Sequence, residues 1–373
     1  MTHSIIAPSA SARRVQCPGS PRAEEGRPET DRTAAEEGTA AHFAGSEMLQ
    51  GNVVAEGQVA PNGVVLTEEM LEGAEVYDAN VRGVLREVGL TPEQGHVEKP
   101  LPITRIHPQS FGTPDFWIAW WAAGVLHIAL WDFKFGYRFV DAFQNWQAIE
   151  YLAGVMALFP DVPDDRVLCT VRIVQPRSFH RDGPVRTWEV RGVDLRAQIN
   201  IASTAAHEAL APNPRFKAGP ECAECKARAA CPTFQRSGFN AIDESSREQP
   251  FDLPVAALGT ELHIVRAALK RLEAREAALS EQVLAHHRDG KIVPGWAVEA
   301  GGGRLRWVVP PGQIIGAGRV LGIDLAKPEQ AVTPTQAEAR GFPLAHFREF
   351  TSSTRGAPAV VPDDGSRARR VFG

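Results

Sequence analysis

The sequence is poor in cysteine, methionine and tyrosine, with five, four and three copies in 373 residues. Five thiols in a chain of this length cannot supply a disulfide framework, so their clustering matters more than their number. Excess positive charge is missing too. A net charge of -5 excludes a uniformly basic nucleic-acid coat while leaving room for a local basic groove. No apolar run is long enough to cross a bilayer: the 16 uncharged residues between Asp115 and Asp132 include His127 and Gly124 and read as two strands. The N-terminal segment has no basic region followed by an apolar stretch, so no secretory leader is expected and the cytoplasm is the expected compartment.

What is present is ordinary globular material. Apolar residues at 43% and charged residues at 23% exclude a disordered or collagen-like chain, and 33 glycines with 28 prolines announce plentiful loops. The length favours two domains. Residues 1–30 read as irregular apart from a short segment around Cys17. A helix is expected from Asp31 or Thr33 to about Leu49. Another is expected over Thr67 to Val88, where Met70, Ala74, Tyr77, Val81 and Leu85 recur at three- and four-residue steps. A strand can start in His96 to Pro102. Phe116 to Trp121 and Val125 to Phe135 read as a hairpin turning at Ala122, Ala123 and Gly124. A helix over Asp141 to Phe159 and a strand over Arg166 to Val174 complete a strand, crossover helix and strand unit. A strand near Thr187 to Val190 and a helix from Val193 to Leu210 follow. These elements predict an α/β fold, a mixed sheet flanked by helices, with a smaller α+β region after it. The expected organisation is a first domain over 1–240, a linker over 241–254, an accessory region over 255–350 and a flexible basic tail over 351–373. The accessory region should hold a long helix, Val255 to His287, with Leu258, Leu262, Val265, Leu269 and Leu272 on its apolar face, and a hairpin turning at Gly301 to Gly303.

The informative stretch is residues 112–136. In Asp132-Phe133-Lys134 the two polar side chains share one face of a strand while Phe133 points into packing. The hairpin can bring Asp115 beside Asp132. Burying such groups in apolar surroundings is costly unless they are paired or hold a metal. A divalent cation between two carboxylates removes their repulsion, and oxygen ligands suit Mg²⁺ or Mn²⁺. Such a metal can polarise a phosphodiester and acidify an attacking water, which Lys134 can orient. A plainer reading fits the same residues: a strand-end ion pair, with Asp115 opening a turn. Gln147 and Tyr151 fall on one face of the next helix. His42 could add a nitrogen ligand, although a lone helical histidine is ordinarily a surface or core residue.

Taken in order, Gly38-Thr-x-x-His42, Glu98, Gly112-Thr-Pro114-Asp115, Asp132-x-Lys134 and Gln147-x-x-x-Tyr151 resemble the PD-(D/E)XK nuclease superfamily in its RecB-like exonuclease branch, over about residues 10–235. The resemblance implies a restriction-endonuclease-like fold. It also implies a metal held by His42, Asp115, Asp132 and the Phe133 carbonyl, a catalytic Lys134, and Gln147 and Tyr151 contacting DNA or supporting the site. Glu98 joins the catalytic candidates, with a role that differs among subfamilies. The wider chain, including Val174-Gln175-Pro176-Arg177, resembles phage and prophage RecB-like nucleases. That implies DNA recombination or replication as the setting and a phage single-strand-binding or annealing protein as a partner.

Cys222-x2-Cys225-x5-Cys231 clusters three thiols, and Cys17 offers a fourth far upstream, whereas Cys169 reads as a core thiol. Four thiolates can hold tetrahedral zinc or an iron-sulfur cluster, and spacing alone does not choose between them. One early and three late cysteines are similar to the iron-sulfur nucleases of the AddB and CRISPR-adaptation type, which implies a structural [4Fe-4S] cluster. Of the tryptophans, Trp117, Trp120, Trp121, Trp131 and Trp146 crowd one region and read mainly as core. Arg105, His107, Arg138, Arg177, His180 and Arg181 are candidate phosphate contacts or plain solvated surface. The expected function is therefore a metal-dependent DNA nuclease. A catalytically inactive DNA- or partner-binding module is the alternative, and a zinc-based DNA reader is a third reading.

Overall fold

The computed structural model describes residues 5–27, 32–178, 183–245, 254–301, 305–326, 334, 342–343, 347, 349–353 and 356–362. Two compact units divide the chain, Met1–Arg275 and Glu276–Gly373.

The first unit opens with short helices α1 (Ser11–Gln16) and α2 (Ser20–Glu24), where an irregular segment was expected. Helices of five or six residues are not stable alone, and no periodic pattern announces them. They exist because Ile6 and Arg14 are wholly buried against the rest of the unit. Next come α3 (Arg32–Leu49) and α4 (Glu68–Glu87), the latter capped by the Thr67 side chain accepting from the Met70 amide.

Strands β1 (His96–Val97), β2 (Leu101–Pro102) and β3 (Phe111–Gly112) are two residues each, so the expected strand from His96 is broken at Glu98, whose φ of +46° turns the chain. β4 (Phe116–Ala122) and β5 (Val125–Phe133) form the expected hairpin, with Ala123 and Gly124 both at positive φ. That is the two-residue turn whose twist matches paired strands. Helix α5 (Trp146–Ala157) crosses over to β6 (Val167–Val174), which runs parallel to β5, and β7 (Val185–Arg191) closes the five-stranded sheet in the order β1-β4-β5-β6-β7. Its start at Trp146 rather than Asp141 follows from Asn145, whose side chain accepts from the Ala148 amide and caps the first turn.

Strand alternation divides the core in two. Leu126, Ile128 and Leu130 pack with α5 and with α6 (Arg196–Leu210), while Ala129, Trp131 and Phe133 pack with α3 and α4. Trp117 and Trp131 are core residues as expected, whereas Trp121 is exposed. The fold class is the expected one, a mixed α/β sheet flanked by helices with a smaller C-terminal region.

Helix α7 (Pro232–Ser245) follows, and most of the expected linker lies outside the described residues. The two units part inside α8 (Val255–Arg288), at Arg275, and not at that linker. Leu262, Val265 and Leu269 of α8 are about half exposed, so this stripe is not a buried face. In the second unit come β8 (Trp296–Gly301), β9 (Leu305–Trp307), α9 (Pro311–Val320), β10 (Thr351–Ser353) and β11 (Gly356–Pro362). β8 and β9 are not paired with each other, so they do not form the expected hairpin, and Gly302 and Gly303 of its turn lie outside the described residues. β8 pairs with β11 and β9 with β10. Residues 351–353 and 356–362, expected to be tail, are thus strands, because their partners lie some fifty residues back where local pattern cannot show them. No described helix is long and apolar enough to cross a membrane.

Candidate metal centre

Continuing the β4 and β5 register from Phe116 opposite Trp131 sets Asp115 against Asp132. The Phe133 amide donates to Asp115 Oδ2 at 2.6 Å, and the Glu98 amide donates to the Asp115 carbonyl at 3.0 Å. Glu98 therefore owes its position to a left-handed residue clamped onto the motif loop, a conformation uncommon outside glycine and concentrated at functional sites. From α3, His42 Nδ1 lies 3.1 Å from Asp115 Oδ1 and 3.7 Å from Glu98 Oε1. Ligand atoms of His42, Glu98 and Asp115 all fall within 4.8 Å of one another.

Asp132 stands beside this triad and is engaged by Lys134, whose Nζ is 3.0 Å from Oδ1 and 2.9 Å from Oδ2. Among the described residues no hydrogen bond of good geometry reaches Oδ2. Lys134 Nζ also donates to Gln147 Oε1 at 3.2 Å. Tyr151 donates to the Thr113 carbonyl at 3.2 Å and so braces the loop before Asp115. Gly112 is required by close approach: a Cβ there would meet the Tyr151 ring at 2.8 Å and the Pro8 ring at 2.9 Å. The expected separation of faces is observed, since Phe133 turns away to stack on Tyr77 at 5.0 Å between ring centroids.

The charges explain one another. Burial of His42 opposes protonation, yet Asp115 and Glu98 raise it to about 10. Burial works on Asp115 in the opposite sense, but His42, Lys134 and the Phe133 amide hold its carboxyl low. Asp132 is pushed up by burial, only partly offset by Lys134, with Asp115 adding repulsion. Glu98 is raised by burial too, although His42 counteracts it. Lys134 stays firmly protonated because Asp132 and Asp115 overcome its burial. One imidazolium thus sits among carboxylates where a cation is wanted, and one nitrogen with several carboxylate oxygens is a fitting donor set for a hard divalent ion. Of the expected ligands, His42 and Asp115 fall in the closest triad together with Glu98, while Asp132 stands outside it with its carboxylate engaged by Lys134.

Tyr77, on the apolar face of α4, lies close to the carboxylates as well as in the core. Its hydroxyl is buried with no hydrogen-bond partner among the described residues, and its ionisation is suppressed by burial and by Asp115, Glu98 and Asp132. The helical spacing of Tyr77 does not show this closeness to the carboxylates, because the strand it approaches is remote in sequence. Several phosphate-contact candidates are otherwise occupied. Arg105 pairs with Asp164 at 2.9 Å, Arg138 with Glu224, and Arg177 with Glu37 at 3.3 Å and Glu69 at 3.0 Å. His107 lies edge-on to His207, and His180 and Arg181 fall outside the described residues.

A second cluster lies at the end of α1. Cys17, Cys222, Cys225 and Cys231 line one cavity of about 20 Å³ with Arg13, Phe216 and Arg228. The Lys217 amide donates to Cys17 Sγ and the Gly219 amide to Cys222 Sγ, each at 3.4 Å. Burial pushes the thiols of Cys17 and Cys222 up, and that of Cys225 to about 11. No three of these sulfurs lie within 4.8 Å of one another, wider than the roughly 3.8 Å that tetrahedral zinc imposes on its ligands. Cys169 is apart, buried in β6.

Comparison with known proteins adds one fact to this geometry. No curated protein matches the chain. Residues 3–367 match the family described as protein of unknown function (DUF2800), and a match over nearly the whole length makes this chain a member of that family.

Proposed function

We propose that this chain is a metal-dependent deoxyribonuclease, an exonuclease hydrolysing phosphodiester bonds in phage or prophage DNA recombination or replication. The observation that carries this reading is the convergence of His42, Glu98 and Asp115 beside the Asp132, Lys134 and Gln147 chain. Mg²⁺ or Mn²⁺ in such a site supplies Lewis acidity toward a phosphoryl oxygen and a more acidic water. His42, Asp115 and Asp132, with the Phe133 carbonyl and Glu98, are the groups that would hold it. Lys134, kept charged by its carboxylates, orients the attacking water and offsets charge building on the phosphate. Gln147 holds the ammonium in place, and Tyr151 fixes the loop that presents Asp115.

The test is digestion of end-labelled linear and circular DNA with Mg²⁺ or Mn²⁺. Degradation of linear DNA, sparing of circles, and its loss in Lys134→Ala and Asp132→Asn with an unchanged fold are expected. A well-folded wild-type protein that cleaves no form of DNA refutes the reading.

The four-thiol cavity is proposed to hold a [4Fe-4S] cluster, with zinc as the alternative. Four thiols lining one cavity and amide donors directed at two of them support this reading. Visible iron-sulfur absorbance with matching iron and sulfide in anaerobically purified protein is expected; stoichiometric zinc without iron overturns it.

A further inference from the structure

The loop joining Lys134 to α5, residues 136–145, carries three aromatic rings that the metal centre does not use. Tyr137 is 65% exposed, Phe143 62% and Phe139 44%. Elsewhere in the chain tyrosine is kept inside, as Tyr77 and Tyr151 show. Open rings on a floppy loop would mean little, but this loop is built. Gln175, itself 1% exposed, donates to the carbonyls of Gly136 at 2.7 Å and Arg138 at 2.6 Å, and accepts from the Val140 amide at 3.1 Å. Arg186, also buried, donates to Gln175 Oε1 and to the Val140 carbonyl at 3.1 Å. Two buried polar side chains are thus committed to the shape of one surface loop.

Guanidinium groups back two of the rings: Arg177 lies 3.9 Å from the centroid of Tyr137, and Arg186 lies 5.1 Å from that of Phe139. Phe143 stands edge-on to Trp188 at 5.8 Å. The platform follows the metal centre closely along the chain. Tyr137 follows Lys134 by three residues, and Arg177 reaches Glu37, five residues before His42 on α3, about 7.5 Å along the helix axis.

We propose that residues 136–145 form a preordered stacking platform for the unpaired bases of single-stranded DNA, feeding a frayed or single-stranded end to the metal centre. The proposal rests on the nuclease reading for its substrate and names the strand form that reading leaves open. A single strand is the favoured occupant because ring faces stack on unpaired bases of any sequence, whereas a duplex has its bases stacked inside. A platform ordered in advance binds without the entropic cost of ordering a loop.

The test measures anisotropy of a fluorescent oligo-dT and of a blunt hairpin duplex with the full chain in EDTA, where no cleavage occurs. Tyr137→Ala and Phe143→Ala should each weaken oligo-dT binding about tenfold, leave duplex binding nearly unchanged, and keep that effect at higher salt. Tyr137→Trp should retain binding, with tryptophan emission quenched by the oligonucleotide. Circular dichroism and melting should match wild type in every variant, since the rings are exposed. Variants that bind oligo-dT like wild type, or lose single and double strands alike, overturn the proposal. So does oligo-dT that fails to bind wild type, which would leave the rings to a protein partner. Cleavage is scored separately. Metal-dependent cleavage with no ring effect removes the platform and keeps the nuclease; ring-dependent oligo-dT binding without any cleavage keeps the platform and removes the nuclease.

Discussion

The most exacting prediction concerns the buried pair that ties α1 to α5. Arg14 and Glu150 are both wholly inaccessible, and Glu150 accepts from the Arg14 guanidinium and from the Ser11 hydroxyl. Arg14 also donates to the Ala7 carbonyl at 3.1 Å. Burial pushes the Glu150 carboxyl up even with Arg14 against it, so desolvation outweighs attraction. Two substitutions separate these effects. Glu150→Leu leaves a buried guanidinium and a buried hydroxyl without their acceptor, which should cost about 3–5 kcal/mol. Glu150→Gln keeps an oxygen acceptor and the shape but leaves the guanidinium without a counter-charge, and should cost less than the Leu variant, about 1–3 kcal/mol at neutral pH. Because the folded carboxyl titrates above its usual 4.5, its contribution is complete below that pH and is lost as pH rises through the folded value. The Gln variant should therefore gain on wild type between acid and neutral pH. Replacing the whole pair, Arg14→Met with Glu150→Leu, should recover most of the loss. Urea unfolding of wild type, Arg14→Met, Glu150→Leu and the double variant, followed by circular dichroism and fluorescence, gives all four corners of the cycle. A Glu150→Leu cost under about 1 kcal/mol, or a double variant no better than the worse single one, refutes the reasoning.

Gln175→Leu should destabilise the first unit by about 2–3 kcal/mol, since its three loop contacts and its Arg186 contact go together, and oligo-dT binding should fall with it. Tyr77→Phe removes a buried hydroxyl that has no partner among the described residues, so melting should be unchanged or higher; a large drop would reveal a missing partner. In metal-free protein the raised His42 contributes stability that is complete below pH 6.5 and lost as pH climbs through about 10. The stability gap between wild type and His42→Ala in EDTA should accordingly narrow from neutral to alkaline pH.

Much of the centre was legible because its strands advertise themselves. Alternation along β5 fixes Asp132 and Lys134 on one face and Phe133 on the other, and a two-residue turn fixes Asp115 opposite. The spacing of α4 gave its buried face directly. Glu98 was visible as a candidate but not as a neighbour of His42, because that contact depends on one left-handed backbone angle and a long-range amide bond. Arg177 looked like a free cation, and its engagement by Glu37, Glu69 and Tyr137 joins segments some forty to 140 residues apart. The strands over 351–353 and 356–362 were missed for the same reason.

The leading helices also constrain the order of assembly. α1 and α2 leave the ribosome well before the groups they close on: Glu150 lies 136 residues after Arg14, and Cys222 lies 206 after Gln16. Until then Ile6 and Arg14 have no interior to enter, and Cys17 waits without its companion thiols. Closing such distant contacts is slow. The nascent chain must therefore keep this segment unclaimed until residues as far on as Cys222 have been made.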